Sequence, residues 1–141
     1  MTQAMSERNV EVVRRGFEAL NGGVEAFIEF VDPEFETETS PELTPEPDVY
    51  RGYDGVRRYF ASFEETMEEI RFEPGEFIEV GDRVLVPVRL SAKGKETGIT
   101  VEQRLTTVWV LRDGKAVRIE SYATEEQARR AAGLATGSRR G

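Results

Sequence analysis

The second half of the chain is the part that most restricts its fold. Across residues 71–123 apolar and polar side chains alternate, and the alternation is broken at turn signals: Gly81-Asp82, the glycine-bearing stretch 93–98, and Asp113-Gly114. A period of two sends successive side chains to opposite faces of a strand, and a Gly-containing pair between two such runs closes a hairpin. Four strands are therefore expected in series, over residues 71–80, 83–92, 99–111 and 116–123.

The first half has the other period. Val10, Val13, Phe17 and Leu20 recur at helical spacing between a Ser6 cap and an Asn-Gly-Gly stop. Residues 24–31 read as a second short helix that ends ahead of Pro33, and residues 35–39 as a strand, with a mobile Pro- and Glu-rich loop at 40–48. A third helix is expected to begin near Asp54, with Val56, Tyr59, Phe60, Phe63 and Met67 forming its apolar face. Residues 124–134 suggest a last helix, residues 1–5 a flexible lead and residues 135–141 a disordered tail. Helices first and strands afterwards give an α+β fold, one domain over residues 6–134.

Composition narrows the function. With 141 residues, 38% hydrophobic and 33% charged, the chain suits one ordinary globular core. Its net charge of -8 argues against nucleic acid or an anionic membrane as partner, since phosphate binding draws on Lys and Arg. Cysteine is absent and the first residues lack the apolar run of a signal peptide, so a cytoplasmic location is expected. Histidine is absent too, which excludes a Ser-His-Asp triad and leaves carboxylates, Tyr, Lys or Arg for acid-base work. Glu64, Glu65, Glu68 and Glu69 read as a solvated helix face, so neither a metal nor another cofactor is expected.

The segments ALNGG, VDPEF, YRGYDGVRRYF, GDRVLVPVRLSAKG and VWVLRDGKAVRIESYATEEQA, in this order, resemble bacterial nuclear-transport-factor-2-like proteins of the SnoaL-like branch, over residues 9–134. The resemblance implies the cone-shaped, cystatin-like and ketosteroid-isomerase-like fold, a curved mixed sheet wrapped around helices and enclosing a pocket. It implies no single activity, because this fold hosts isomerases, polyketide cyclases, epoxide hydrolases, dehydratases, transport adaptors and proteins without known reaction.

Alternation then nominates the pocket wall. Val84, Val86, Val88 and Leu90 share one strand face, Val101, Gln103, Leu105, Thr107 and Trp109 that of the next, and Val117, Ile119 and Ser121 that of the last. Backed by Phe17, Tyr59 and Phe63, this set suits an apolar site for a small lipophilic molecule; the same residues serve equally as a solid core. The resemblance places the steroid isomerases' catalytic positions on Gly16, Thr107 and Glu38, so both strong oxyanion donors are missing and Glu38 is left as the candidate base. Phe35, Thr37 and Thr39 compete with Glu38 for the inward face. The epoxide-hydrolase positions fall on Val88, Leu90 and Ser121, which cannot perform that reaction. Three readings follow: a binding protein or enzyme remnant, an isomerase, dehydratase or cyclase acting through Glu38, and a dimeric interaction module with a filled pocket.

The opposite sheet face carries Leu85, Val108, Val110 and Tyr122 among Arg89, Arg104, Arg118, Glu102 and Glu120. An apolar strip among charges of both signs suits a two-fold contact, so a homodimer through this face is expected, unless the last helix folds over the strip.

Overall fold

Val13, Phe17 and Leu20 fall on one stripe of α1 (Thr2–Gly22) because helical spacing brings them together, and that stripe is what the sheet receives. The computed structural model describes residues 2–39 and 49–133; the expected loop 40–48 and tail 135–141 lie outside them. The first helix begins at Thr2, upstream of the Ser6 cap. Gly23, at φ 113, makes the turn into α2 (Val24–Phe30), a conformation closed to most other residues.

The first strand, β1 (Val31–Thr39), starts four residues earlier than the alternation suggests. Pro33 sits where the pairing of this strand shifts register, between Val31 and Glu36, so its missing N–H interrupts no ladder. A short β2 (Val49–Arg51), which the sequence reading missed, pairs back onto β1. The next helix, α3 (Gly52–Glu64), stops short of Met67, which opens β3 (Met67–Pro74). The strand expected at 71–80 is divided: β3 ends at Pro74, and residues 75–77, beginning with Gly75, separate it from β4 (Ile78–Val80). There follow β5 (Arg83–Gly94), β6 (Thr100–Arg112), β7 (Lys115–Tyr122) and α4 (Glu125–Ala131). Asp113 and Gly114 both have positive φ, as a tight two-residue hairpin requires.

The strands form one sheet in the order β2-β1-β7-β6-β5-β3, with β4 beside β5. It is mixed because β1 runs parallel to β7, while the later strands are antiparallel. A register shift after Val110 sets Leu111 opposite Ala116 although Val110 faces Arg118, so β7 holds one extra residue there. The bulge turns Ala116 into the core and leaves Val117, expected inside, only half-buried.

The outer face is closed within the chain. Leu85 and Val108, both 0% exposed, pack under α4 against Ala128 and Ala132, with Ile78 and Tyr122 at the margin. Thr124 caps this helix reciprocally with Gln127: the Thr124 hydroxyl accepts from the Gln127 N–H and the Gln127 side chain accepts from the Thr124 N–H, both at 3.2 Å. Of the apolar strip that argued for a sheet-to-sheet homodimer, Leu85 and Val108 are thus covered by the last helix, while Val110 and Tyr122 stay half-buried, so the apolar argument for a dimer is reduced to those two.

The Asn21 side chain ties the end of α1 to β3: its Nδ2 donates to the Phe72 carbonyl and its Oδ1 accepts from the Phe72 N–H, each at 2.9 Å. No helix of the described residues is long and apolar enough to cross a membrane.

Candidate functional site

Between α1 and the inner sheet face, where the sequence suggests a pocket, side chains meet in a packed core around Trp109. This indole is 0% exposed; its ring centroid lies 4.9 Å from that of Phe17, 6.3 Å from Phe30 and 6.4 Å from Phe27. Its Nε1–H donates to Thr107 Oγ1 at 3.0 Å, and Thr107 in turn donates to the Val86 carbonyl at 3.1 Å, so both polar groups are satisfied internally. Gly16 provides the room. A Cβ there would stand 2.6 Å from Trp109 Cζ3 and 2.9 Å from Phe30 Cε2, so the helix backbone itself walls the indole. Val86, Val88, Leu105 and Ile119 join the same core; Ser121 is buried, Leu90 half-buried. The structure corrects Gln103, which is exposed, as is the neighbouring Val101 at 45%, because the β5–β6 hairpin extends past the helices that cover its base.

Glu38 is corrected as well. Phe35 and Thr37 take the inward positions of β1, and Glu36 and Glu38 turn to the outer face. There Arg118 donates from Nη1 to Glu36, from Nη2 to Glu38 and from Nε to Glu120. Glu38 is 49% exposed and held by a guanidinium, so it cannot reach a molecule bound on the inner face. The hydrogen bond to Glu120, helped by the nearby carboxylates, holds Arg118 above its usual range. Tyr122 donates to the other oxygen of Glu120 at 2.7 Å; burial first, and this hydrogen bond second, push its phenol above the ordinary range. This is a half-buried ionic cluster, and it lies on the far side of the sheet from the core.

One open region lies at an end of the fold. An open cleft of about 520 Å³ runs between the last turn of α1, the last two turns of α3 and the first half of β3. Leu20, Tyr59, Phe60, Phe63, Met67, Ile70 and Phe72 give it an apolar lining. Tyr59 and Phe63 stand edge to face, their ring centroids 4.9 Å apart, one helical turn from each other on α3. The rim is charged, with Glu64, Glu68, Glu69 and Lys95, and the Asn21 clamp closes one corner. Glu69 adopts φ 52 in a register shift between Glu68 and Arg71, which breaks the alternation of β3 and lets Met67, Ile70 and Phe72 all face the cleft.

Of the residues nominated from sequence, Tyr59 and Phe63 line this cleft, whereas Phe17 is buried beside Trp109. Leu20, Phe60, Met67, Ile70 and Phe72 were missed as lining: Leu20, Phe60 and Met67 were read only as helix faces, and the bulge at Glu69 is what sets Met67 on the same side as Ile70 and Phe72. Chemically the cleft offers apolar surface, ring faces and carboxylates exposed to water. Among the described residues no group of three or more acidic, His or Cys side chains is placed to hold a metal ion.

The chain is similar to solved structures of the same fold. One is an NTF2-like protein of unknown function from Burkholderia pseudomallei, with a TM-score of 0.71, 21% identity, and coverage of 87% of this chain and 95% of that one. A second is TerC, crystallised with polyporic acid, at 0.72 and 22% identity over 89% and 98% of the two chains. A third is SalBIII, an epoxide hydrolase/cyclase-like enzyme with a role in pyran ring formation in salinomycin, at 0.71 and 22% over 85% and 93%. No curated protein matches by sequence. The model of the SnoaL-like domain matches residues 13–119, from the stripe of α1 to the centre of β7, and the chain belongs to that family.

Proposed function

We propose that this protein binds a small lipophilic molecule in the cleft between α1, α3 and β3, and that it acts as a binding protein or enzyme remnant rather than as an acid-base catalyst. The observation that carries this reading is the lining itself, seven apolar or aromatic side chains around about 520 Å³, within the size range of small-molecule sites. The turn of Glu38 to the outer face supports binding over turnover, because it removes the candidate base for isomerase, dehydratase or cyclase chemistry. TerC, a protein of the same fold, was co-crystallised with polyporic acid, which is in keeping with a small-molecule reading.

The test is a titration with N-phenyl-1-naphthylamine, a neutral hydrophobe whose emission rises on leaving water. Saturable binding that Phe63→Asp abolishes, without loss of folding, is the expected result. Binding that Phe63→Asp leaves untouched would place the ligand elsewhere.

A second reading, a homodimeric interaction module with a filled pocket, draws on the packed core around Trp109. With Leu85 and Val108 under α4, such a dimer would use the charged remainder of the outer face around Arg118. Sedimentation equilibrium at micromolar concentration tests it, and a mass of one chain throughout would remove it.

A further inference from the structure

We infer that the ligand of this cleft carries a positively charged nitrogen, an ammonium or amine at the end of an apolar body. The inference rests on the proposed binding site and concerns its electrostatics.

Two helices of more than three turns end at the cleft. The last residues of α1, Leu20 to Gly22, and of α3, Phe63 and Glu64, line it. A helix C-terminus presents the negative end of the macrodipole, which Lys or Arg in the last turn ordinarily offsets; here turn N–H groups of Gly23, Glu65 and Thr66 take up the Leu20, Ala61 and Phe63 carbonyls but add no positive charge. Neither helix has a basic residue in its last turn. The preference of both ends for a cation is therefore unmet by their own sequence.

The side chains point the same way. Glu64, Glu68 and Glu69 stand on the rim against Lys95; Glu69 is occupied by Lys93 at 3.6 Å, which leaves Glu64 and Glu68 without an ion pair among the described residues. The short helix α2 begins nearby and opposes the effect; Glu25 in its first turn is already paired with Arg57 at 3.3 Å, so the opposition is left in part. Inside the rim, Tyr59, Phe60 and Phe63 offer aromatic rings, whose negative faces attract cations and repel anions. An apolar body would occupy the space among Met67, Ile70 and Phe72 while its charged nitrogen met rings, carbonyls and carboxylates at the helix ends.

The experiment compares three probes of one chain length by calorimetry at low ionic strength: octyltrimethylammonium, 1-octanol and octyl sulfate. The ammonium is expected to bind about tenfold tighter than the sulfate, with the alcohol between them, and added salt should shrink the difference. The pair Glu64→Gln and Glu68→Gln should reduce the preference several-fold, weakening the ammonium more than octanol, whereas Lys95→Gln should widen it. A remote pair, Glu79→Gln and Glu102→Gln, separates the local field from the net charge of -8. Octanol binding without discrimination, or an equal effect of the two pairs, overturns the inference and leaves the binding site standing. If none of the three probes binds, the site itself is refuted, and the inference with it.

Discussion

Substituting Gly16 by alanine probes whether the core beside α1 is solid. The added Cβ would lie 2.6 and 2.8 Å from two ring carbons of Trp109 and 2.9 Å from one of Phe30, all well inside van der Waals contact. Neither ring is a flexible chain end that can swing aside. The indole is fixed by its bond to Thr107 and by Phe17 and Phe27, and Phe30 is stacked on Phe27. Overpacking of this kind costs about 1–3 kcal/mol, and the upper part of that range applies where rigid rings must move. Against it, alanine in a helix interior is favoured over glycine by roughly 1 kcal/mol. The net expectation is a loss of about 1–2 kcal/mol. Gly22→Ala, whose Cβ would meet the Ala26 Cβ at an ordinary 3.5 Å, is the control and should be near neutral. The assay is urea unfolding followed by the fluorescence of Trp109, the single tryptophan of the chain. The midpoint should fall for Gly16→Ala with an unchanged denaturant slope. A Gly16→Ala protein as stable as wild type would mean that space exists beside the indole and that the core is not closed there.

Three further outcomes follow. Val88→Asp, at a core position, should cost about 3 kcal/mol or more because it buries an unpaired charge, whereas Arg89→Asp, next along the strand and exposed, should cost far less; equal losses in urea would refute the face assignment. Val108→Arg should destabilise by about 3 kcal/mol or more, since it drives a charge under α4; a stable variant of altered mass in sedimentation would show instead that this strand faces a partner. The Tyr122 phenol is raised in the folded state, so above the ordinary phenol range, near pH 10, the unfolded chain releases a proton that the folded chain keeps. Stability is thus intact below that pH and falls as pH rises beyond it, and Tyr122→Phe should flatten this alkaline decline in melting temperature; an unchanged slope would show that Tyr122 does not cause it.

The fold was legible because its signals are local. Gly81-Asp82 and Asp113-Gly114 close their hairpins as read, and the stripe from Val13 to Leu20 faces the sheet. What failed was non-local. Alternation identifies the face to which Trp109 belongs, but whether that face encloses a void depends on Gly16, which lies on the apolar stripe of α1 and admits the indole. A glycine on the buried stripe of a long helix was the available signal. The strand β2 spans three residues, too few for any period to register. The cleft depends on one residue, Glu69, whose left-handed backbone reassigns the faces of β3, and nothing in the composition of EEIRF announces it. The cover over Leu85 and Val108 was readable as an alternative, since Ala128 and Ala132 lie one helical turn apart.

The Asn21 clamp bears on how the sheet ends. In the sheet order β3 is terminal, and the outward N–H and C=O of an edge strand ordinarily invite another chain to add itself as the next strand. At Phe72 both groups are already taken, by a side-chain amide that has the donor and acceptor of a peptide but belongs to no strand. Sheet growth from this side, into a filament of stacked copies, would first have to evict that amide and lift the end of α1. The same two bonds fasten one wall of the cleft to another, so a molecule that wedges them apart to enter would also uncover the edge. One asparagine thus both braces a wall of the cleft and covers the strand edge at Phe72.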